Sequence, residues 1–207
     1  RFDSWLTIFI IMVMAFGATV EYAPIGQNTN PYSMFQDVHI MVFVGFGFLM
    51  AFLRKNAFTT IGHSFMLAAF TAMWAILNIG FWHRAIGSHI FQKIQLGLPQ
   101  LVEADFAAAT VLISFGALVG RVSAPQVLAM AFFEIIFYAI NEALVVKQWK
   151  AADIGGSMVI HTFGAYFGLA CSYALERNQP EREKLIKKYD QFESSDKTSD
   201  TFSLIGT

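Results

Sequence analysis

The chain has 207 residues, of which 56% are hydrophobic, 15% aromatic and 14% charged, with a formal net charge of -1, a pI near 6.6 and a mean hydropathy of +0.51. A soluble globular domain carries about 25% charged residues, so this composition excludes a water-facing surface over most of the molecule. The near-neutral charge, with no basic stripe, excludes nucleic acid as a partner, and the single cysteine, Cys171, excludes an intrachain disulfide or a cysteine zinc site and reads as a small packing residue.

In chain order, runs almost free of charge predict six membrane spans: residues 5 to 21, 36 to 53, 59 to 82, 104 to 120, 125 to 146 and 154 to 175, with a seventh beginning at Thr201. A bilayer core of ~30 Å needs about 20 mostly apolar residues in helix. The runs are continuous rather than alternating with period two, which favours an all-α polytopic helix bundle over a barrel. The first run, from Trp5 to Val20, does not read as a secretory signal, because its charged flank is only Arg1 beside Asp3 and no small-residue cleavage site follows Val20. Three regions result: a transmembrane domain over 1–175, a polar connector over 176–200 that contains Pro180 and is predicted to be helical over Glu181 to Tyr189, and the start of a further span over 201–207.

Positive residues in short loops stay cytoplasmic. Arg1, Arg54, Lys55, Arg121, Arg177, Arg182, Lys184, Lys187, Lys188 and Lys197 fall on one side of this topology, and Arg84, Lys93, Lys147 and Lys150 on the other. The N-terminus and the 176–200 segment are therefore expected in the cytoplasm, and the loops at 22–35, 84–103 and 147–153 outside.

Ionisable groups within spans are expensive and point by default to an interior polar path. On the last complete span, Asp153, Ser157, His161, Gly164 and Gly168 fall within about a third of the helical circumference. His161 reads either as a contact for a small polar solute, using a ring that titrates near neutrality, or as a packed histidine bonded across helices. His39 and His63 lie near predicted span ends and His83 and His89 in an outer loop; no pair has metal-ligand spacing on a shared face. Glu134, Tyr138 and Asn141 recur on one face of the fifth span. Asp105, Glu142 and Asp153 sit at the predicted outer ends of three spans, where they would either concentrate cations at a pore mouth or cap helices and pair with Lys147 or Lys150. Phe106 is one of 22 phenylalanines and by itself reads as packing. The pairs Gly116/Gly120 and Gly164/Gly168 are small-xxx-small patterns that let helices approach closely. The histidines lack the paired spacing that a membrane enzyme or a haem protein would need, so no enzyme activity and no cofactor are expected.

Four stretches carry a family resemblance. FQDVHIMVFVGFGFLMAFLR, from Phe35 to Arg54, resembles the second helix of the Rh glycoproteins of the ammonium transporter family. VEADFAAATVLISFGALVGRVS, from Val102 to Ser123, and FYAINEALV, from Phe137 to Val145, resemble later Rh segments. GGSMVIHTFGAYFGLA, from Gly155 to Ala170, resembles the helix bearing the first pore histidine. An extra helix ahead of the FQDVH segment is also the Rh pattern.

The resemblance implies the first half of a twelve-helix, inverted-repeat bundle that assembles as a homotrimer or an Rh-type heterotrimer in the lipid bilayer, and the plasma membrane is its expected location. It implies that His161 is the first of two pore histidines and Phe106 one of two stacked gate phenylalanines. Asp153 would be the acidic residue orienting the histidine helix, and Glu142 an acidic vestibule position. Ammonium would be recruited outside, lose its proton and cross as ammonia. The second histidine, the second gate phenylalanine and the inverted half would lie beyond residue 207. Alternatives that remain open are electrogenic ammonium movement, a carbon dioxide or other gas channel, and a non-conducting Rh-type membrane scaffold. No N-x-S/T glycosylation site occurs in the chain.

Overall fold

Where no water can satisfy backbone groups, long apolar runs close their hydrogen bonds within helices. The computed structural model describes residues 2–23, 31–87, 92–177 and 194–207. The predicted connector helix at Glu181 to Tyr189, His89 and most of the connector's positive charges lie outside the described residues.

The helices are α1 (Phe2–Thr19), α2 (Tyr32–Phe52), α3 (Ala57–Ile86), α4 (Leu98–Gly116), α5 (Ala124–Gln148), α6 (Ile154–Arg177) and α7 (Lys197–Gly206). Among the described residues, α2 to α6 are the five helices long and apolar enough to cross a membrane, whereas the apolar part of α1, Ser4–Thr19, is shorter. The first predicted span therefore stops early. Its chain leaves the helix as strand β1 (Val20–Tyr22), which pairs in parallel with β2 (Ile94–Leu96) in the register Val20 to Ile94 and Tyr22 to Leu96. The other spans match their predicted positions with shifted ends. The fourth begins six residues earlier than predicted, at Leu98, because Pro99 opens the helix and Gln100 Oε1 accepts from the Gly97 N–H at 3.0 Å.

The long α3 is the hub and packs against both α4 and α5, while α4 also contacts α2 and α6. Trp74 of α3 stacks on Phe132 of α5 with ring centroids 4.7 Å apart and donates its Nε1–H to the Phe132 carbonyl at 2.9 Å. Small residues make α4 the buried helix: Ala104, Ala107, Ala108 and Ala109 are at most 3% exposed. Its other face takes α6 at Gly164 and Gly168, where an added Cβ would lie 2.7 Å from the Thr110 carbonyl oxygen and 2.8 Å from Ser114 Cα. Such close approach is how helices gain packing in a medium as apolar as their own side chains. The predicted Gly116/Gly120 pair approaches α2 and the turn after it: an added Cβ would lie 3.4 Å from Met50 Sδ at Gly116, and 3.1 Å from Leu53 Cδ1 and 2.9 Å from Asn56 Nδ2 at Gly120. Gly116 is the last residue of α4, and Gly120 lies in the following turn with φ +77°, a left-handed conformation that glycine adopts freely.

The described segment of α7 begins four residues before Thr201. Asp196 caps it, accepting from the Ser199 N–H at 2.8 Å, and Phe202 packs on Phe48 and Phe58. Apolar side chains such as Met14, Phe58, Phe133, Tyr166 and Leu169 remain exposed over the helical faces, as expected of a protein whose solvent is lipid or further transmembrane helices.

Candidate functional site

Three stretches converge at one end of the bundle: the first three turns of α4, the end of the α-helical part of α5, and the entry to α6. They enclose a cavity of about 250 Å³ lined by Ile79, Glu103, Phe106, Tyr138, Glu142, Val146, Asp153, Gly155, Gly156, Val159 and Ile160. Three carboxylates and one phenol accompany an otherwise apolar wall.

Each lining group has a local reason for its place. Glu103 and Phe106 stand three residues apart on α4, and Tyr138 and Glu142 four apart on α5, so each pair shares a helical face. The entry to α6 is built by Gly155 and Gly156, with φ +72° and +69°, a double left-handed turn that few side chains tolerate. It folds the chain back so that Asp153 caps the new helix. Asp153 Oδ1 accepts from the Ser157 hydroxyl at 2.8 Å, and Oδ2 accepts from the Met158 and Val159 N–H groups at 3.1 and 2.9 Å. Slight burial pushes the Asp153 carboxyl up, but the N–H groups of Val159 and Met158 and the Ser157 hydroxyl outweigh it and hold the group below the usual carboxylate range. The helix-capping reading of Asp153 is thus the observed geometry, and the same residue also lines the cavity.

Glu142 is bonded to His83 Nε2 rather than to Lys147 or Lys150. His83 is therefore not a loop residue: α3 runs on to Ile86 and carries His83 inward against α5. Asp105 likewise departs from expectation. It lies seven residues beyond Leu98, its side chain is 3% exposed, and it faces His39 of α2 instead of the cavity.

His161 does not line the cavity; its neighbours Val159 and Ile160 do. The reason is that Ser157–Thr162 forms a π-helical turn, which inserts an extra residue into the helical repeat. The predicted common face of Asp153, Ser157, His161, Gly164 and Gly168 is split by it: Gly164 and Gly168 are buried on α4, whereas Ser157 and His161 are exposed. His161 sits at the α6 surface of this chain, close to the cavity in sequence and outside its wall. Cys171, half-buried among apolar neighbours, is a packing residue. Among the described residues, no group of three or more His, Cys, Asp or Glu side chains could hold a metal ion.

The sequence reading missed Glu103, Tyr138 as a lining residue, and His83. The i, i+3 relation of Glu103 to Phe106 and the i, i+4 relation of Tyr138 to Glu142 were legible signals. The pairing of His83 with Glu142 was not, since it needs the packing of two helices 59 positions apart in the chain.

Five helices long and apolar enough to span a bilayer, with a cavity lined by three carboxylates, two aromatic rings and aliphatic side chains, define the architecture of an integral membrane protein. The chain belongs to the ammonium transporter family: the family model, described as Ammonium Transporter Family, matches residues 4–207. Among curated proteins it is similar to ammonium transporter Rh type B of Sus scrofa, 45% identical over 189 residues covering 88% of this chain and 39% of that protein. It is also similar to ammonium transporter Rh type C of Pongo abelii, 41% identical over 211 residues covering 98% of this chain and 43% of that protein. Among solved structures, the one of Nitrosomonas europaea Rh50, described as concerning conduction by the Rhesus protein family of channels, superposes with a TM-score of 0.62 at 34% identity, covering 85% of this chain and 44% of that one. The chain spans about two fifths of the length of these relatives.

Proposed function

We infer that this chain supplies one half of an Rh-type pathway for ammonia, in which ammonium gathers at the cavity, loses its proton and continues as the neutral molecule. The observation that carries this reading is the lining itself. Glu103, Glu142 and Asp153 stand beside Phe106, Ile79, Val159 and Ile160 in one space. Carboxylates raise the local concentration of a cation, while the apolar wall beyond them offers no substitute for its hydration shell, so the charged form stops where the neutral form does not. The names of the relatives, ammonium transporters Rh type B and type C, support ammonium as the solute.

In this reading Phe106 gates the inner end of the cavity, and His161 is completed as a pore residue by helices that cover the exposed face of α6. The protein works as a trimer, homomeric or of Rh type, in the plasma membrane, with the cavity outside and the N-terminus and the 176–200 segment in the cytoplasm.

The test uses the full-length protein in proteoliposomes, with internal pH followed by stopped flow after an ammonium gradient. Fast alkalinisation above empty liposomes that changes in His161→Ala is expected. Rates equal to empty liposomes would overturn the channel reading in favour of a scaffold.

A further inference from the structure

Away from the cavity, α4, α5 and α6 meet at Ser114, Glu134 and Gly164. Glu134 is 0% exposed, and among the described residues no Lys, Arg or His pairs with it. Its titratable neighbours are Tyr138, one turn along α5, and Cys171 of α6, neither of them a cation. Among the described residues, Glu134 Oε2 has no hydrogen-bond partner, and its Oε1 is within hydrogen-bond reach of Ser114 Oγ.

The proton count at Ser114 decides the state of the acid. Ser114 Oγ also lies 2.7 Å from the Gly164 carbonyl oxygen. A serine hydroxyl has one proton to donate and a carbonyl has none. Ser114 therefore donates to Gly164, and the proton in its contact with Glu134 must come from the carboxyl group. A buried carboxylate with one oxygen unpartnered and no cation beside it would be strongly unfavourable, whereas a neutral acid needs only the single acceptor that Ser114 provides.

We propose that Glu134 is held as a neutral carboxylic acid and, through the relay Glu134 O–H to Ser114 O–H to the Gly164 carbonyl, is a positioning residue for the helix that carries His161. Gly164 lies three residues from His161, at the point where α6 touches the α4 backbone. The relay thus ties Gly164, two residues beyond the π-helical turn, to two other helices. The positioning role rests on the channel reading above; the neutral acid does not.

The experiment is infrared spectroscopy of the full-length protein in lipid, with flux measured on the same preparations. The wild type is expected to show the C=O stretch of a protonated carboxylic acid that persists into mildly alkaline pH and is lost in Glu134→Gln. In Ser114→Ala the band should shift towards that of an acid without an acceptor. Glu134→Gln, whose amide can still donate to Ser114, should retain wild-type flux and pH profile, while Glu134→Ala should lose flux. Absence of the band in the wild type, or a band unchanged in Glu134→Gln and Ser114→Ala, would overturn the neutral acid. Glu134→Gln as impaired as Glu134→Ala would overturn the relay. A wild type that shows the band and conducts no ammonia would instead defeat the channel reading and leave the acid standing.

Discussion

His39 Nδ1 lies 3.0 Å from Asp105 Oδ2 and 3.2 Å from Oδ1, joining α2 to α4 immediately beside Phe106. The imidazole is held between Phe35 and Phe43, with ring centroids 5.2 and 4.4 Å away. Asp105, whose side chain is 3% exposed, gains its side-chain partner from this contact.

Removing His39 would leave a buried carboxyl unsatisfied, a change worth about 1–3 kcal/mol. His39→Ala is expected to lower the melting temperature of the purified full-length protein, and Asp105→Ala to do so as well. The double substitution should be less harmful than the sum of the two, because each single change orphans the other group. Strict additivity would show that the pair does not hold α2 to α4.

Gly164→Ala places a methyl group 2.7 Å from the Thr110 carbonyl oxygen, a backbone atom that cannot rotate away. Overpacking of this kind typically costs about 1–3 kcal/mol, so reduced stability is expected in a thermal-melt assay, and Gly164→Leu should lose both assembly and flux. Gly62→Ala, which would meet nothing within 4 Å, is the matched control and should be neutral or better.

Asp153→Ala removes the acceptor for three donors at the start of α6, and loss of a helix cap costs about 0.5–2 kcal/mol. Because the native carboxyl titrates below its usual range, its contribution is complete above the unfolded-state pKa and is lost as pH falls through the folded one. Melting temperatures of the wild type and Asp153→Ala should therefore converge on acidification and separate towards neutrality. A gap that does not depend on pH would mean that the carboxylate charge is not what the cap requires.

Phe106 is partly exposed and borders the cavity. Phe106→Ala should alter the concentration dependence of ammonia flux while leaving the melting temperature close to that of the wild type. An unchanged flux curve with a large loss of stability would make Phe106 a packing residue.

How much of this was legible depends on the range of the interaction. The spans followed from apolar runs, since hydrophobic length is a property of local sequence. The Asp153 cap was readable for the same reason, as all its donors lie within six residues. The tight contacts of Gly164 and Gly168 were visible as spacing, whereas the identical spacing of Gly116 and Gly120 did not reveal that α4 ends at Gly116 and that Gly120 belongs to the turn after it. The single-face reading of α6 failed at the π-helical turn, which a period of 3.6 residues does not anticipate. The partners of His39, His83 and Glu134 were out of reach, because each lies on another helix.

The parallel pairing of Val20–Tyr22 with Ile94–Leu96 also bears on biosynthesis. A chain emerging from the ribosome makes α1 long before it makes the strand that receives it. Two further membrane helices must be inserted in between, and a contact of such long sequence separation forms late. Helix α1 is accordingly made before its partner strand and docked afterwards, and changes at Val20 or Ile94 would impair maturation of newly made chains before they affected any assembled protein.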